Sequence, residues 1–233
     1  MAQLIEHLDV GVVRANLAEI DDGLRDAHGR SPGGRPAPRV LAAIKYLPDD
    51  QLAVLAQAGV TLVGENRAQQ LNEREDAYGP LFEWHFIGQL QSRKVAAIAP
   101  RVVMIHSLAS RSALAALERA RDTAHPQLRL LVEVNISGEQ GKAGIDPREL
   151  GSYLDDAPLP VVGLMTMPPF STDAQSSRPY FAALRELADR HSLEHLSMGT
   201  SQDWLVAAEE GATFVRIGTS LFVPRDGDAH SSG

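Results

Sequence analysis

The chain contains no cysteine in its 233 residues. Disulfides, thiolate nucleophiles and cysteine-ligated metals are therefore excluded. It is also short of positive charge: 22 Lys and Arg stand against 30 Asp and Glu, a formal net charge of −8. A phosphate-backbone partner needs clustered basic residues, and here they are scattered, so nucleic acid is not an expected partner. No apolar run approaches the roughly 20 residues that span a bilayer, so no membrane partner is expected either. The opening Met1-Ala2-Gln3-Leu4-Ile5-Glu6-His7 has neither the basic region nor the apolar core of a signal peptide. A soluble, cytoplasmic protein is the expectation. The remaining composition, 44% hydrophobic and 22% charged, is that of an ordinary globular chain. Its length fits one large α/β domain or two small ones.

Along the chain, amphipathic residues over 10–27 predict a helix, with Val12, Val13, Leu17, Ile20 and Leu24 on its apolar face. A Gly/Pro-rich segment, 28–38, follows and is expected to be a flexible linker. Then a regular alternation begins. Strands are predicted over 40–46, 62–65, 84–87, 102–106, 128–135, 161–165, 195–198 and 214–217. Helices are predicted over 49–58, 67–78, 91–99, 110–123, 147–155, 173–191 and 202–210. Eight strands alternating with helices are the pattern of a (β/α)8 TIM barrel, here with an additional N-terminal helix; an open doubly wound sheet is the competitor. The expectation is a single barrel domain over 1–233 with a frayed polar tail, 224–233.

Lys45 stands out. It closes the apolar run Val40-Leu41-Ala42-Ala43-Ile44, which reads as a buried strand of a parallel sheet. Burial would favour its neutral amine, the nucleophile that condenses with carbonyl compounds; the plainer alternative is a lysine that snorkels to the rim. In a barrel, chemistry gathers at the carboxyl ends of the strands. Those positions carry Gly64-Glu65-Asn66-Arg67, His85 with Gly88-Gln89, His106-Ser107, Glu133-Val134-Asn135, Ser197 to Ser201, and Arg216 to Thr219. Asn66, Ser201 and Thr219 also suit plain helix caps. Taken together, Ser197 to Ser201 after the seventh strand and Gly218-Thr219 after the eighth match the place where barrels bind phosphate. Two ligand classes fit a lysine facing such a cradle: pyridoxal phosphate, or a sugar phosphate attacked by an aldolase lysine. His85 and His106 have no metal-ligand spacing, so no metal is expected. Loop 168–178 either covers the site or is a long surface loop.

The segments Ala42-Ala43-Ile44-Lys45, Gly64-Glu65-Asn66-Arg67-Ala68-Gln69 and Trp84-His85-Phe86-Ile87-Gly88-Gln89-Leu90-Gln91-Ser92-Arg93-Lys94 resemble the YggS-type pyridoxal phosphate homeostasis protein family. So do Ile105-His106-Ser107, Glu133 to Ile136, Gly141 to Ile145, Gly163 to Met167, Ser197 to Asp203 and Val215 to Thr219. The matches run in order from about residue 40 to about residue 222. The resemblance implies a barrel like the N-terminal domain of alanine racemases, with pyridoxal 5′-phosphate held on Lys45 as an internal aldimine. It implies that Ser201, Gly218 and Thr219, with the backbone of Met198, Gly199 and Thr200, grip the phosphate. Arg216 would meet the pyridine nitrogen, and Asn66 and His85 the ring face or its 3-hydroxyl side.

The related racemases carry a second, β-rich domain that supplies a catalytic tyrosine. This chain ends soon after its eighth predicted strand, so the resemblance implies a monomeric cofactor carrier in vitamin B6 homeostasis, without efficient amino-acid catalysis. An amino-acid racemase or lyase is the alternative, and apo forms of pyridoxal-phosphate enzymes are the implied protein partners. Two positions depart from the family pattern: Leu47 where many members have lysine, and Thr200 where many have methionine. Lys142 matches a family lysine and is either a secondary aldehyde site or an exposed loop lysine.

Overall fold

The computed structural model describes Ile5 and residues 7–224. The expected frayed tail lies, past residue 224, outside the described residues. Eight parallel strands close into one barrel in simple sequence order. They are β1 (Arg39–Ala43), β2 (Leu62–Glu65), β3 (Glu83–Phe86), β4 (Met104–Leu108), β5 (Arg129–Glu133), β6 (Val161–Met165), β7 (His195–Thr200) and β8 (Phe214–Ile217). The barrel, not the open sheet, is the architecture.

The helix α1 (Val10–His28) precedes the barrel, its first turn capped by Asp9, which accepts from the Val12 N–H. Its face of Val13, Ile20, Leu24 and Ala27 is buried. The crossover helices are α2 (Leu52–Gln57), α3 (Ala68–Tyr78), α4 (Val95–Ile98), α5 (Arg111–Ala120), α6 (Leu150–Asp155), α7 (Arg178–Arg190) and α8 (Trp204–Glu209). A last short turn, α9 (Thr219–Phe222), follows β8. Several predicted helices begin here as 3-10 turns, so their α-helical part is shorter than the apolar pattern. In the 28–38 segment Arg35 donates to the carbonyls of Leu193 (2.7 Å) and Glu194 (2.6 Å), tying that stretch to the entry of β7.

Strand periodicity sorts the side chains into two sets. Outward residues join the helices in one large core that includes Ala42, Val63, Phe86, Ile105, Leu130, Leu164, Leu196 and Val215. Inward residues Leu41, Leu62, Met104, Leu131, Met165 and Phe214 form a separate cluster inside the barrel. The same inward register carries polar groups: His85, His106, Ser197 and Arg216 are all buried. The Phe214 ring lies 5.4 Å from each of the His85, His106 and His195 rings.

Five of the eight strands, β1, β3, β4, β5 and β7, differ in their boundaries from the sequence expectation. β1 stops at Ala43, and Ile44 to Leu47 form a turn closed by Leu47 N–H to Ile44 C=O at 3.0 Å. The apolar run misled because Ile44 is buried at the start of the turn, not within the strand. β7 runs on to Thr200, with a register shift between Ser197 and Thr200.

Burial holds His85 below its ordinary 6.5 and His106 well below it, so both are neutral in the folded barrel. The unfolded chain binds protons there below pH 6.5 that the fold excludes. Stability is therefore expected to fall as pH drops through about 6.5, by up to about 1.4 kcal/mol per pH unit for each histidine. Urea unfolding across that range checks it; a flat profile contradicts the neutral pair.

Candidate active site

At the carboxyl ends of the strands a cavity of about 600 Å3 opens. Lys45, Asn66, Thr200, Ser201, Arg216, Gly218 and Thr219 all line it, drawn from the ends of β1, β2, β7 and β8. Strand pairing explains part of the convergence, because β1 lies beside β8 in the closed barrel, with Leu41 opposite Arg216 and Ala42 opposite Ile217. The first and last strands thus bring the lysine and the glycine–hydroxyl segment to one mouth.

Lys45 is half-buried and sits in the turn after β1 rather than at the end of a buried strand. Its Nζ lies 4.6 Å from the centre of the Tyr46 ring, a cation–π contact. The turn is held from below by Arg74 on α3, a fully buried arginine. Arg74 donates to the carbonyls of Ile44 (3.0 Å) and Leu47 (2.5 Å), the two ends of that turn. It also pairs with Glu65 at 2.5 Å and Asp49 at 2.7 Å. The other oxygen of Glu65 accepts from the N–H groups of Asn66 (2.6 Å) and Arg67 (3.1 Å). One buried ion pair therefore fixes both Lys45 and Asn66. Gly88 seals this arrangement: a Cβ there would lie 2.0 Å from the Asn66 carbonyl oxygen, so only glycine lets the exit of β3 approach.

Across the cavity, Ser201 accepts from the Gly218 N–H at 3.4 Å. A Cβ on Gly218 would meet nothing within 4 Å, so open space stands against this backbone. Asp203 accepts from the N–H and hydroxyl of Thr200 (2.7 and 3.2 Å) and shapes the loop. The loop turns at Gly199, where two facts demand glycine: its φ is +88°, and a Cβ there would lie 2.5 Å from that of Ala207. On the cavity wall, Asn66 Oδ1 is buried without a hydrogen-bond partner. An orphaned acceptor on the wall is what a polar ligand would satisfy.

Arg216 rises from β8 into the cavity floor. It donates to the Ser197 carbonyl (2.8 Å) and hydroxyl (2.6 Å) and to the Thr166 carbonyl (2.9 Å). Burial pulls its pKa down to about 10, with Glu133 and Asp203 acting the other way, so it is a cation at neutral pH. Glu133, at the end of β5, lines the same cavity, and burial raises its pKa while Arg216 opposes the rise.

Three of the expected site residues do not reach the cavity. His85 lies deeper in the lumen, because its place on β3 is one inward layer below the rim, and it bonds Glu83 and His106. Met198 points outward into the helix-facing core, and Gly199 is buried beneath the loop. Lys142 pairs with Glu139 at 2.8 Å and does not line the cavity. Leu47 is buried in the core, so in this chain that position is a packing site. Sequence reasoning gave no role to Arg74, which resembles any solvated helix arginine, or to Ile5 and Phe222, which also line the cavity. Arg74→Met should destabilise the fold by about 3–5 kcal/mol, since it leaves Glu65 buried and unpaired; urea unfolding measures this, and a loss below about 1 kcal/mol contradicts the clamp.

Residues 16–226 match the sequence profile of the family described as alanine racemase, N-terminal domain. The chain is 38% identical over 220 residues to the pyridoxal phosphate homeostasis protein of Aquifex aeolicus, covering 90% of this chain and 96% of that one. Among solved structures, a protein from Bifidobacterium adolescentis superposes with a TM-score of 0.81 at 27% identity, over 94% of this chain and 99% of that one. PipY from Synechococcus elongatus, with PLP bound, superposes at 0.74 and 28% identity, over 91% and 100%.

Proposed function

Because the chain belongs to the alanine racemase N-terminal domain family, we propose that its cavity binds pyridoxal 5′-phosphate and that the protein serves vitamin B6 cofactor homeostasis inside the cell. The carrying observation is that one cavity gathers Lys45, Asn66, Ser201, Arg216, Gly218 and Thr219. That donor set fits the group. An amine suits its aldehyde, hydroxyls and an open glycine backbone suit its phosphate, and the apolar wall of Ile87, Met165 and Phe222 suits its ring. When bound, the cofactor supplies an aldehyde that condenses with primary amines and a ring that withdraws electrons.

Each residue then has a task. Lys45 offers the ε-amine for covalent attachment, steadied by the Arg74-held turn and the Tyr46 ring. Ser201, Thr219 and the backbone about Gly218 take the phosphate. Arg216 would meet the pyridine nitrogen. A guanidinium only donates hydrogen bonds, so a nitrogen beside it would stay unprotonated and withdraw electrons weakly, which disfavours decarboxylation and transamination. His85 has no direct contact in this assignment, given its place below the cavity. Recipients of the carried cofactor are apo forms of enzymes that use it, and the carrier acts as a monomer.

One observation favours a second reading, an amino-acid racemase or lyase. Glu133 presents a carboxyl with a raised pKa to the same cavity, the kind of group that serves as an acid–base catalyst.

The purified protein should absorb visible light, and borohydride reduction with peptide mapping should label Lys45; a colourless protein, or a label elsewhere, overturns the assignment. Lys45→Ala should lose the colour and keep the fold. Ser201→Ala should lose cofactor on dialysis roughly tenfold or more faster, the contribution of a hydrogen bond to a charged group. Vigorous racemase or lyase turnover that Glu133→Gln abolishes would favour the second reading.

A further inference from the structure

A line of hydrogen bonds crosses the barrel lumen from the opposite mouth to the cavity. It begins at Glu83, at the N-terminal end of β3, which pairs with Arg39 at 2.9 and 3.0 Å. Glu83 Oε1 lies 3.0 Å from His85 Nε2. His85 Nδ1 lies 2.9 Å from His106 Nε2, and His106 Nδ1 lies 2.8 Å from Ser197 Oγ. Ser197 Oγ in turn lies 2.6 Å from Arg216 Nη1. The three middle members are completely buried.

With both histidines neutral, the carboxylate end settles the direction of every proton along the line. A guanidinium only donates, and an ionised carboxylate only accepts. The His85 hydrogen bond and the Arg39 ion pair hold Glu83 at about 2, so it is ionised at neutral pH. Arg216 therefore donates to the Ser197 oxygen, and the Ser197 hydroxyl donates to His106 Nδ1. His106 Nε2–H donates to His85 Nδ1, and His85 Nε2–H donates to Glu83. The reverse order would aim an imidazole lone pair at the carboxylate. The forced order needs both histidines neutral, as burial keeps them. Other titratable groups about the line are His195 beside the two histidines, and Glu133 and Asp203 towards Arg216.

We propose that Glu83 is a remote positioning residue for the cavity: by fixing the donor order through His85 and His106, it directs the Ser197 hydroxyl proton to His106, leaves the Ser197 lone pairs to Arg216 unshared, and so holds that guanidinium in place for the cofactor ring. The last clause rests on the pyridoxal phosphate reading; the donor order does not.

Nitrogen-15 NMR of the cofactor-free protein reads the order directly. In the unsubstituted chain both His85 and His106 should be neutral and protonated at Nε2; an Nδ1 proton on either ring overturns the proposal. Glu83→Gln gives His85 an end group that can also donate, so both rings should become tautomer mixtures; an unchanged His106 overturns it. In the holoprotein the same substitution should speed cofactor loss by roughly tenfold or less, the contribution of one neutral hydrogen bond, and shift the visible absorption, with the Lys45 label retained. A tautomer change without either effect confines the line to the lumen and overturns the positioning role. If Glu83→Gln fails to fold, Ser197→Ala cuts the line at its other end, and an unchanged rate of cofactor loss then overturns the proposal. Failure of the unsubstituted protein to bind pyridoxal phosphate at all sinks the site reading instead, while the NMR order stands or falls on its own.

Discussion

The geometry of the site depends on the buried ion pair between Glu65 and Arg74. Taking two charges out of water costs several kcal/mol per ion, and attraction alone offsets this only when the remaining hydrogen-bonding groups are also satisfied. Here they are. Arg74 directs its planar donors to Glu65, Asp49 and the carbonyls of Ile44 and Leu47. Glu65 accepts from Arg74 and from two backbone N–H groups. A lysine could not replace this fork, because its single ammonium cannot reach partners spread over a plane. The pair's role is therefore less to add stability than to specify one conformation for the turn that bears Lys45.

That turn faces groups from the far end of the chain. Lys45 follows β1, whereas Arg216, Gly218 and Thr219 belong to β8 and its exit, and the β1–β8 pairing closes the barrel. The cavity is thus complete only when the last strand pairs with the first, and site formation is bound to global closure of the fold. Contacts of such long sequence separation form at high loop-closure cost. Local devices then finish the work: Gly88 admits the close approach of the β3 exit to Asn66, and Gly199 with Asp203 sets the loop after β7.

Much of this was legible in the sequence, and the reasons for the rest are physical. The strand–helix alternation showed the barrel because burial on both faces makes each strand a compact apolar run. Lys45, Asn66, Ser201, Arg216, Gly218 and Thr219 stood out because strand ends are where barrels do chemistry, and all six line the cavity. The failures share one cause, that a one-dimensional pattern does not give depth. Ile44 read as strand because it is apolar, yet it is buried in the turn that follows β1. His85 read as a rim residue, yet it lies a layer lower. Arg74 is invisible in sequence because a buried arginine and a solvated one are spelled alike; only Glu65, nine residues before it, shows why it is inside.

The barrel lumen explains why histidines sit so deep. An inward layer filled only by Leu41, Leu62, Met104, Leu131, Met165 and Phe214 would pack well, but it would leave Arg216 standing on an apolar floor. A buried cation needs acceptors, and the Thr166 and Ser197 carbonyls alone leave part of its fork unmet. Ser197 supplies a further acceptor but brings a hydroxyl proton that must itself go somewhere. His106 takes it, which passes the same demand to His85, and the sequence of obligations ends only where a carboxylate can reach solvent, at Glu83. The polar column is therefore the consequence of placing one arginine at the cavity floor: each buried donor requires an acceptor until the chain of requirements leaves the protein.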